Sequence, residues 1–379
     1  MGLIAMPPAP PRADLDLNLF LGGGRDGEVV DRRCRTMPAE WFPQSAVQLT
    51  WPHQDTDWKD MLAEVTECYI RMAYEIATRQ PLLVVAPDAA AVKKLLSERL
   101  PERVVANITF FAAPTNDTWA RDHAFISVID GAASELLDFR FNGWGGKFEA
   151  ALDNAINRRL YDAGLLKGTY RDCLDFELEG GSIESDGQGT LLTTSRCLLN
   201  PNRNGGLSQA EAEERLKRLL GVERILWLHH GELAGDDTDA HIDTLARFCT
   251  EDIIAYVSCN DPRDSHYEPL AEMGKELQAL RTAKGEPYKL VALPMPRAIF
   301  DEDGERLPAT YANFLIMNTA VLYPTYAQPD NDEAARRALA AVFPKKDIVG
   351  IDCRALIRQH GSLHCATMQY PRGIFQLYI

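Results

Sequence analysis

Five times along the chain an amphipathic helix pattern runs directly into a short apolar strand pattern, and that recurrence limits the possible folds more than any other feature. The first instance begins at Trp58. There Trp58, Met61, Leu62, Val65, Tyr69, Met72, Ala73 and Ile76 fall three and four apart, the stripe of a helix packed on a core, ahead of the continuous apolar run LLVVA at 82–86. The same order returns at 150–163 with 173–178, 208–220 with 224–228, 266–283 with 288–293, and 331–343 with 347–351. After a first interval of 92 residues, which holds an extra helix pattern at 88–99, the helix starts are 58, 58 and 65 residues apart. Paired strand patterns with turn punctuation lie between the units: NITFF, AFISVI and ELLDFRF; SIES and TLLTTS around DGQG; LARFC and IIAYV; NFLIMN and VLYP. A period of roughly 60 residues predicts α/β structural repeats placed around an axis rather than one doubly wound sheet. An irregular α/β fold with incidental spacing stays open at this point.

The 379 residues leave room for one large domain or two small ones. Residues 1–36, with PPAPPR and GGGRDGE, read as a flexible leader, and the globular pattern begins at Met37, so 37–379 is expected to be a single domain. Apolar residues make up 46% and charged residues 25%, as in ordinary globular proteins, and no apolar run approaches the ~18 residues of a membrane-spanning helix. The expectation is a soluble cytoplasmic protein that does not engage membranes. A net charge of −15 without any compensating Lys/Arg cluster disfavours a nucleic acid partner. Eight cysteines are scattered without a CxxC pair, which argues against a zinc ribbon and against a disulfide framework.

Four polar stretches interrupt the helix and strand patterns, each at a different unit and near a strand end: NDTWARD (116–122), LEGGSI (178–183), GDDTDAHID (235–243) and HGSLHC (360–365). Among the cysteines Cys365 stands apart, because it follows His364 and a glycine-containing turn, whereas the others mostly sit in apolar patterns suited to a small buried hydrophobe. The spacing of His241 and Asp243 places both on one face of a strand, able to address one ligand; the alternative is a loop of solvated carboxylates. Glu179 precedes Gly180 and Gly181, and Asp122 follows Arg121. Each is a carboxylate in a segment able to approach a ligand closely, or else a turn residue or salt-bridge partner. FNGWGGK lacks the spacing of a phosphate loop, DDTD lacks the glycine and terminal Glu of an EF-hand, and His360 with His364 lacks the Glu of HExxH, so no metal is expected.

Taken in order, MPAEW (37–41), TWP (50–52), NDTWARD, FNGWGGK, EGGSI, DGQGT, CLLNPNRN (197–204), GDDTDAHID, YANFLIMN (311–318) and HC resemble the agmatine deiminase and bacterial peptidylarginine deiminase family of the guanidine-modifying, or pentein, superfamily. The resemblance covers about nine-tenths of the chain. It implies a five-bladed α/β propeller of repeated strand-strand-helix-strand units, which agrees with the independently read period. It further implies Cys365 as nucleophile, His241 as general acid and base, Glu179 as the group that orients and charge-balances that His, and Asp122 and Asp243 as the carboxylates that grip guanidinium nitrogens. Trp119 would lie along the substrate and Asp237 near it. The substrate implied is a small cationic guanidine, foremost agmatine, hydrolysed through a Cys thiouronium to N-carbamoylputrescine and ammonia as in polyamine (putrescine) biosynthesis, with no cofactor; a homodimer is admitted. Alternatives are deimination of peptidyl-arginine or free arginine and, further off, an amidinotransferase or a non-catalytic guanidine-binding protein. Departures from the family pattern fall at Glu184, Ala240, Thr244, His360 and Gly361, and those near the pocket bear on the substrate tail.

Overall fold

The computed structural model describes residues 35–376. The leader expected over 1–36 lies outside the described residues apart from Arg35 and Thr36. Those two are tied down: Arg35 Nε donates to Glu135 Oε1 at 3.0 Å and Thr36 N donates to Ile129 O at 2.9 Å.

Among the described residues the strands, in chain order, are β1 (Gln44–Thr50), β2 (Leu82–Ala86) and β3 (Ile108–Ala112); β4 (Ile126–Asp130), β5 (Ala133–Arg140) and β6 (Thr169–Glu177); β7 (Ile183–Ser185), β8 (Thr190–Thr194) and β9 (Arg224–Leu228); β10 (Ala246–Thr250), β11 (Ile253–Ser258) and β12 (Lys289–Pro294); β13 (Leu315–Ile316), β14 (Ala320–Thr325) and β15 (Asp347–Asp352); and β16 (Thr367–Pro371). They form five small mixed sheets, with β16 returning to the first in the order β16-β1-β2-β3. Every sheet repeats one grammar. Its first pair is antiparallel (β1 with β16, β4 with β5, β7 with β8, β10 with β11, β13 with β14), and its next strand is parallel to the middle one. Four of the antiparallel pairs close through short turns. A parallel neighbour needs a crossover, and each crossover carries one of the sequence-predicted helices.

Those helices are Leu62–Ala77, Ile156–Asp162 preceded by Ala151–Asn154, Gln209–Leu220, Tyr267–Ala279 and Pro329–Val342, with Ala89–Arg99 as the extra helix between β2 and β3. The pattern at 150–163 is thus two short helices, and the one beginning at 266 ends by Ala279. Local chemistry accounts for the boundaries. Ser208 and Glu211 form a reciprocal capping box at the start of Gln209–Leu220, and Gly221 ends that helix in the left-handed conformation at φ 67°. LLVVA is apolar throughout because all five residues of β2 are buried between β1 and β3.

Two expectations change. His241 and Asp243 do not lie on a strand: Ile242–Thr244 is a 3₁₀ turn that His241 precedes. NFLIMN contributes only the two-residue strand β13, leaving Asn313 ahead of it in irregular backbone.

Candidate active site

The segments that lead from the last strand of one sheet to the first strand of the next all deliver side chains to one place. Asp122 comes from between β3 and β4, Glu179 and Gly181 from between β6 and β7, His241 and Asp243 from between β9 and β10, Asn313 from between β12 and β13, and Cys365 from between β15 and β16. Backbone that leaves sheet pairing there needs other partners, and it finds them across segments. Arg121 N donates to Cys365 O at 3.1 Å, and Asn313 Oδ1 accepts from His364 N at 2.8 Å and Cys365 N at 3.3 Å.

Cys365 Sγ receives Asn313 Nδ2 at 3.2 Å and stands 3.7 Å from Asp243 Oδ2. Burial, then the charges of Asp243 and Asp122, push its thiol well above the ordinary range. A cation held against those two carboxylates would remove the second cause and favour the thiolate. Asp122 accepts Gly181 N at 3.0 Å on one oxygen and Trp144 Nε1 at 2.9 Å on the other, and burial raises its pKa to about 6. Asp243 accepts His364 Nδ1 at 2.8 Å on Oδ2, while Oδ1 accepts nothing from the described protein.

His241 is fully buried, and neither ring nitrogen has a hydrogen-bond partner among the described residues. Its Nδ1 lies 3.7 Å from Asp122 Oδ1. Glu179 is beside it, with donor atoms of Glu179, Cys197 and His241 within 4.8 Å of one another. The sequence reading of Glu179 as the group that orients His241 finds proximity but no hydrogen bond: Oε1 is held by Arg203 Nε at 2.7 Å, and Oε2 has no donor among the described residues. Gly181 sits at the centre of the group. A Cβ there would lie 2.7 Å from His241 Nδ1, 2.8 Å from Asp122 Oδ1 and 3.1 Å from Asp243 Oδ2.

A cavity opens onto Cys365 and Asp122, walled by Trp119, Trp144 and Phe148 and rimmed by Asp57, Asp117, Asp237 and His360. Trp119 is wedged in place, because a Cβ at Gly361 would meet its ring at 2.3 Å. The run of acids from Asp236 to Asp239 does not face this cavity as a block. Asp236 caps its own turn through Thr238 and Ala240, Asp239 pairs with Arg203 and Lys147, and only Asp237 lines the wall. Arg121, Arg140 and Arg306, available in sequence as partners for a substrate carboxylate, are all elsewhere. Arg121 is packed behind the nucleophile, Arg140 is exposed near Glu177, and Arg306 pairs with Asp264. No Arg or Lys lines the cavity among the described residues.

Three donors come together both in the Glu179, Cys197 and His241 group and in Glu40, Glu184 and His364. In each a guanidinium already pairs with the carboxylates, Arg203 in the first and Arg247 in the second, and supplies the charge a metal ion would bring.

The model of the Porphyromonas-type peptidyl-arginine deiminase family matches residues 36–371. The chain belongs to that family. Its members are hydrolases acting on carbon–nitrogen bonds of amidines, and this chain is one of them. A relative from Marinomonas sp. named "Putative agmatine deiminase" is 33% identical over 359 residues, covering 88% of this chain and 94% of its own length. Among solved structures, the "Putative Arginine Deiminase from Porphyromonas gingivalis" superposes with a TM-score of 0.85 at 51% identity, covering 90% of this chain and all of that one. A cysteine-to-serine variant of C. jejuni agmatine deiminase with substrate bound gives 0.83 at 38% identity, over 89% of this chain and 97% of its own.

Within the family frame, the five expected catalytic positions Cys365, His241, Glu179, Asp122 and Asp243 converge, with Trp119 on the cavity wall and Asp237 at its rim. Residue-by-residue reading did not single out Asn313, Arg203, Trp144 or Glu40, although each lies in a family landmark. An Asn inside the apolar run YANFLI and an Arg beside asparagines in PNRN were the available signals. His360 and His364, paired in sequence as potential zinc ligands, separate: His360 is on the rim and His364 is behind the nucleophile.

Proposed function

We propose that the enzyme hydrolyses the guanidinium group of agmatine to a ureido group and ammonia, with Cys365 as nucleophile. The observation that carries the reading is the set of buried carboxylate oxygens left without donors. Among the described residues Asp243 Oδ1 and Glu179 Oε2 are buried without a donor and the His241 nitrogens without a partner, beside a thiol and a second carboxylate. Leaving such groups unpaired is costly, and a planar cation bearing several N–H groups is the complement they lack. The five sheets, each delivering one connection to this centre, support the arrangement as a five-bladed α/β propeller with the site on its axis, and 37–379 as one domain.

In this reading Asp122 and Asp243 hold the guanidinium plane against Cys365, supplying orientation and charge together. The thiolate sulfur bonds to the guanidinium carbon. The C–N bond then breaks as His241 delivers a proton to the departing nitrogen, which leaves as ammonia with an S-alkylthiouronium on Cys365. His241 next takes a proton from water, the hydroxide oxygen bonds to the same carbon, and the C–S bond breaks as the remaining hydroxyl proton passes to the released ammonia or solvent, so that a ureido product leaves with the thiolate restored. Glu179 stands beside His241 as its counter-charge.

Agmatine is preferred over free arginine because its tail ends in a second cation, and the rim offers Asp57, Asp117 and Asp237 with no Arg or Lys for a carboxylate. A misplaced charge at such a contact costs several kcal/mol, and each ~1.4 kcal/mol is tenfold. The expected kcat/KM for agmatine therefore exceeds that for free arginine by about 100-fold or more. Ammonia and ureido-product assays over agmatine, arginine and an arginine-containing peptide test this. Peptidyl-arginine lacks the α-carboxylate, so the rim charge alone does not disfavour it, and equal or faster turnover of the peptide would overturn the agmatine assignment while keeping the deiminase chemistry. Dependence of turnover on an added amine acceptor would point instead to amidino transfer.

A further inference from the structure

His364 precedes the nucleophile in the chain and lies behind it in space. Its side chain is only 2% exposed, and both ring nitrogens are engaged: Nδ1 is 2.8 Å from Asp243 Oδ2, and Nε2 is 3.0 Å from Arg247 Nη2 and 2.7 Å from Glu40 Oε2. These partners are themselves fixed. Arg247 donates to the carbonyls of Ala312 and Phe314 and pairs with Glu184 and Glu40, while Glu40 also accepts from Ile316 N. The ring is therefore clamped by the MPAEW segment, β10, β7 and the backbone leading into β13. Asp243 Oδ2 can only accept, so the imidazole carries a proton on Nδ1, facing Asp243, while Nε2 lies between the Arg247 guanidinium and the Glu40 carboxylate. Burial, followed by the guanidiniums of Arg121 and Arg247, lowers the imidazole pKa, against the carboxylates of Glu40 and Asp243, which raise it. The consequence appears at Asp243: Oδ2 accepts from His364, and Oδ1, with no protein donor, is the oxygen left for a ligand.

We propose that His364 is a positioning residue that, through its Nδ1–H, fixes the Asp243 carboxylate so that Oδ1 is presented to the amidinium group beside Cys365. The inference rests on the reading of Asp243 and Cys365 as the pair that meets that group. Without the clamp the carboxylate, whose Oδ2 stands 3.7 Å from Sγ, is free to rotate, and Oδ1 is no longer held toward the cation.

The test compares two substitutions of similar size that divide the ring's two roles. In His364→Asn the side-chain amide nitrogen stands close to the place of Nδ1 and keeps a donor for Asp243. In His364→Gln the amide extends toward the place of Nε2 and leaves Asp243 without it. Alkylation of Cys365 by 2-chloroacetamidine, a cation, is measured against 2-chloroacetamide, its neutral counterpart, so the neutral reagent reports the thiol and the ratio reports the grip on the cation. The wild-type enzyme is expected to favour the amidinium. A hydrogen bond to a charged group corresponds to roughly ten- to hundredfold, so His364→Gln should lower the ratio at least about tenfold while His364→Asn stays within about threefold of wild type. Equal loss in both variants, equal slowing toward both reagents, or an unchanged ratio in His364→Gln would overturn the positioning role. A wild-type enzyme without amidinium preference would instead fail the reading of the site itself and remove the basis of this inference with it.

Discussion

At the scale of single residues, the site is organised around an atom that is not there. At Gly181 a methyl group would touch His241, Asp122 and Asp243 together, at 2.7, 2.8 and 3.1 Å. Its N–H donates to Asp122 Oδ1, so the backbone must approach this closely to hold the carboxylate. Gly181→Ala is therefore expected to abolish turnover, by about 100-fold or more if each displaced polar contact costs on the order of 1–3 kcal/mol. Thermal unfolding should shift little by comparison, and a variant retaining more than a tenth of wild-type kcat/KM would show that the three groups yield without functional loss. The sequence marked this glycine only as part of EGGSI. It could offer Cys365, His241, Glu179, Asp122 and Asp243 as candidates from their type and segment, with their roles implied by the family resemblance. It could not name Asn313 or Arg203, whose role is to satisfy buried backbone and a buried carboxylate, because that need exists only once the segments have met.

At the scale of elements, legibility follows periodicity. All five helix–strand units stand where the spacing put them, since an amphipathic stripe and a continuous apolar run are written in consecutive residues. The short connections were the weak point. His241 and Asp243 were placed on a strand because alternation and a 3₁₀ turn can both bring residues two apart to one ligand, and the choice is made by Asp236 bonding to Thr238 N and Ala240 N, which turns the chain before His241. Helix Gln209–Leu220 illustrates the opposite case, with a boundary set by local residues alone. Ser208 accepts from Glu211 N while the Glu211 carboxylate reaches back to Ser208 N. Ser208→Ala should cost about 1 kcal/mol of stability. Because the helix lies in the β8–β9 crossover and not in one of the converging segments, kcat/KM should remain at the wild-type level, and urea unfolding with steady-state kinetics would separate the two effects. A loss of activity exceeding the loss of folded protein would show that this crossover helix is coupled to the site.

At the scale of the whole molecule, gathering acids around one centre gives the fold a pH dependence with a definite sign. Asp153 is 1% exposed, and its oxygens accept Asn116 N at 2.7 Å and Asp117 N at 3.0 Å, anchoring the loop that carries Trp119 and Asp122. Burial, aided by the charge of Asp117, raises its pKa to about 8. An unfolded Asp ionises near ~3.9, so between about 4 and 8 the folded chain keeps a proton that the unfolded chain has released. The stability this proton confers is complete below about 4, falls as pH rises by up to ~1.4 kcal/mol per unit, and is exhausted above about 8. Asp153→Asn imitates the protonated carboxyl and cannot ionise, so its stability should decline less steeply over the same interval, and the variant should gain relative to wild type from pH 5 to pH 8. Other buried groups titrate in the same window; Asp122, near about 6, is common to both proteins and cancels in the difference, whereas Asp117, also near about 6, is coupled to Asp153 and contributes to it. Urea unfolding of the pair at pH 5, 6.5 and 8 measures that difference directly. A constant gap across the three would mean that Asp153 is ionised in the folded protein throughout, and that the Asn116 and Asp117 amides, rather than a retained proton, offset its burial.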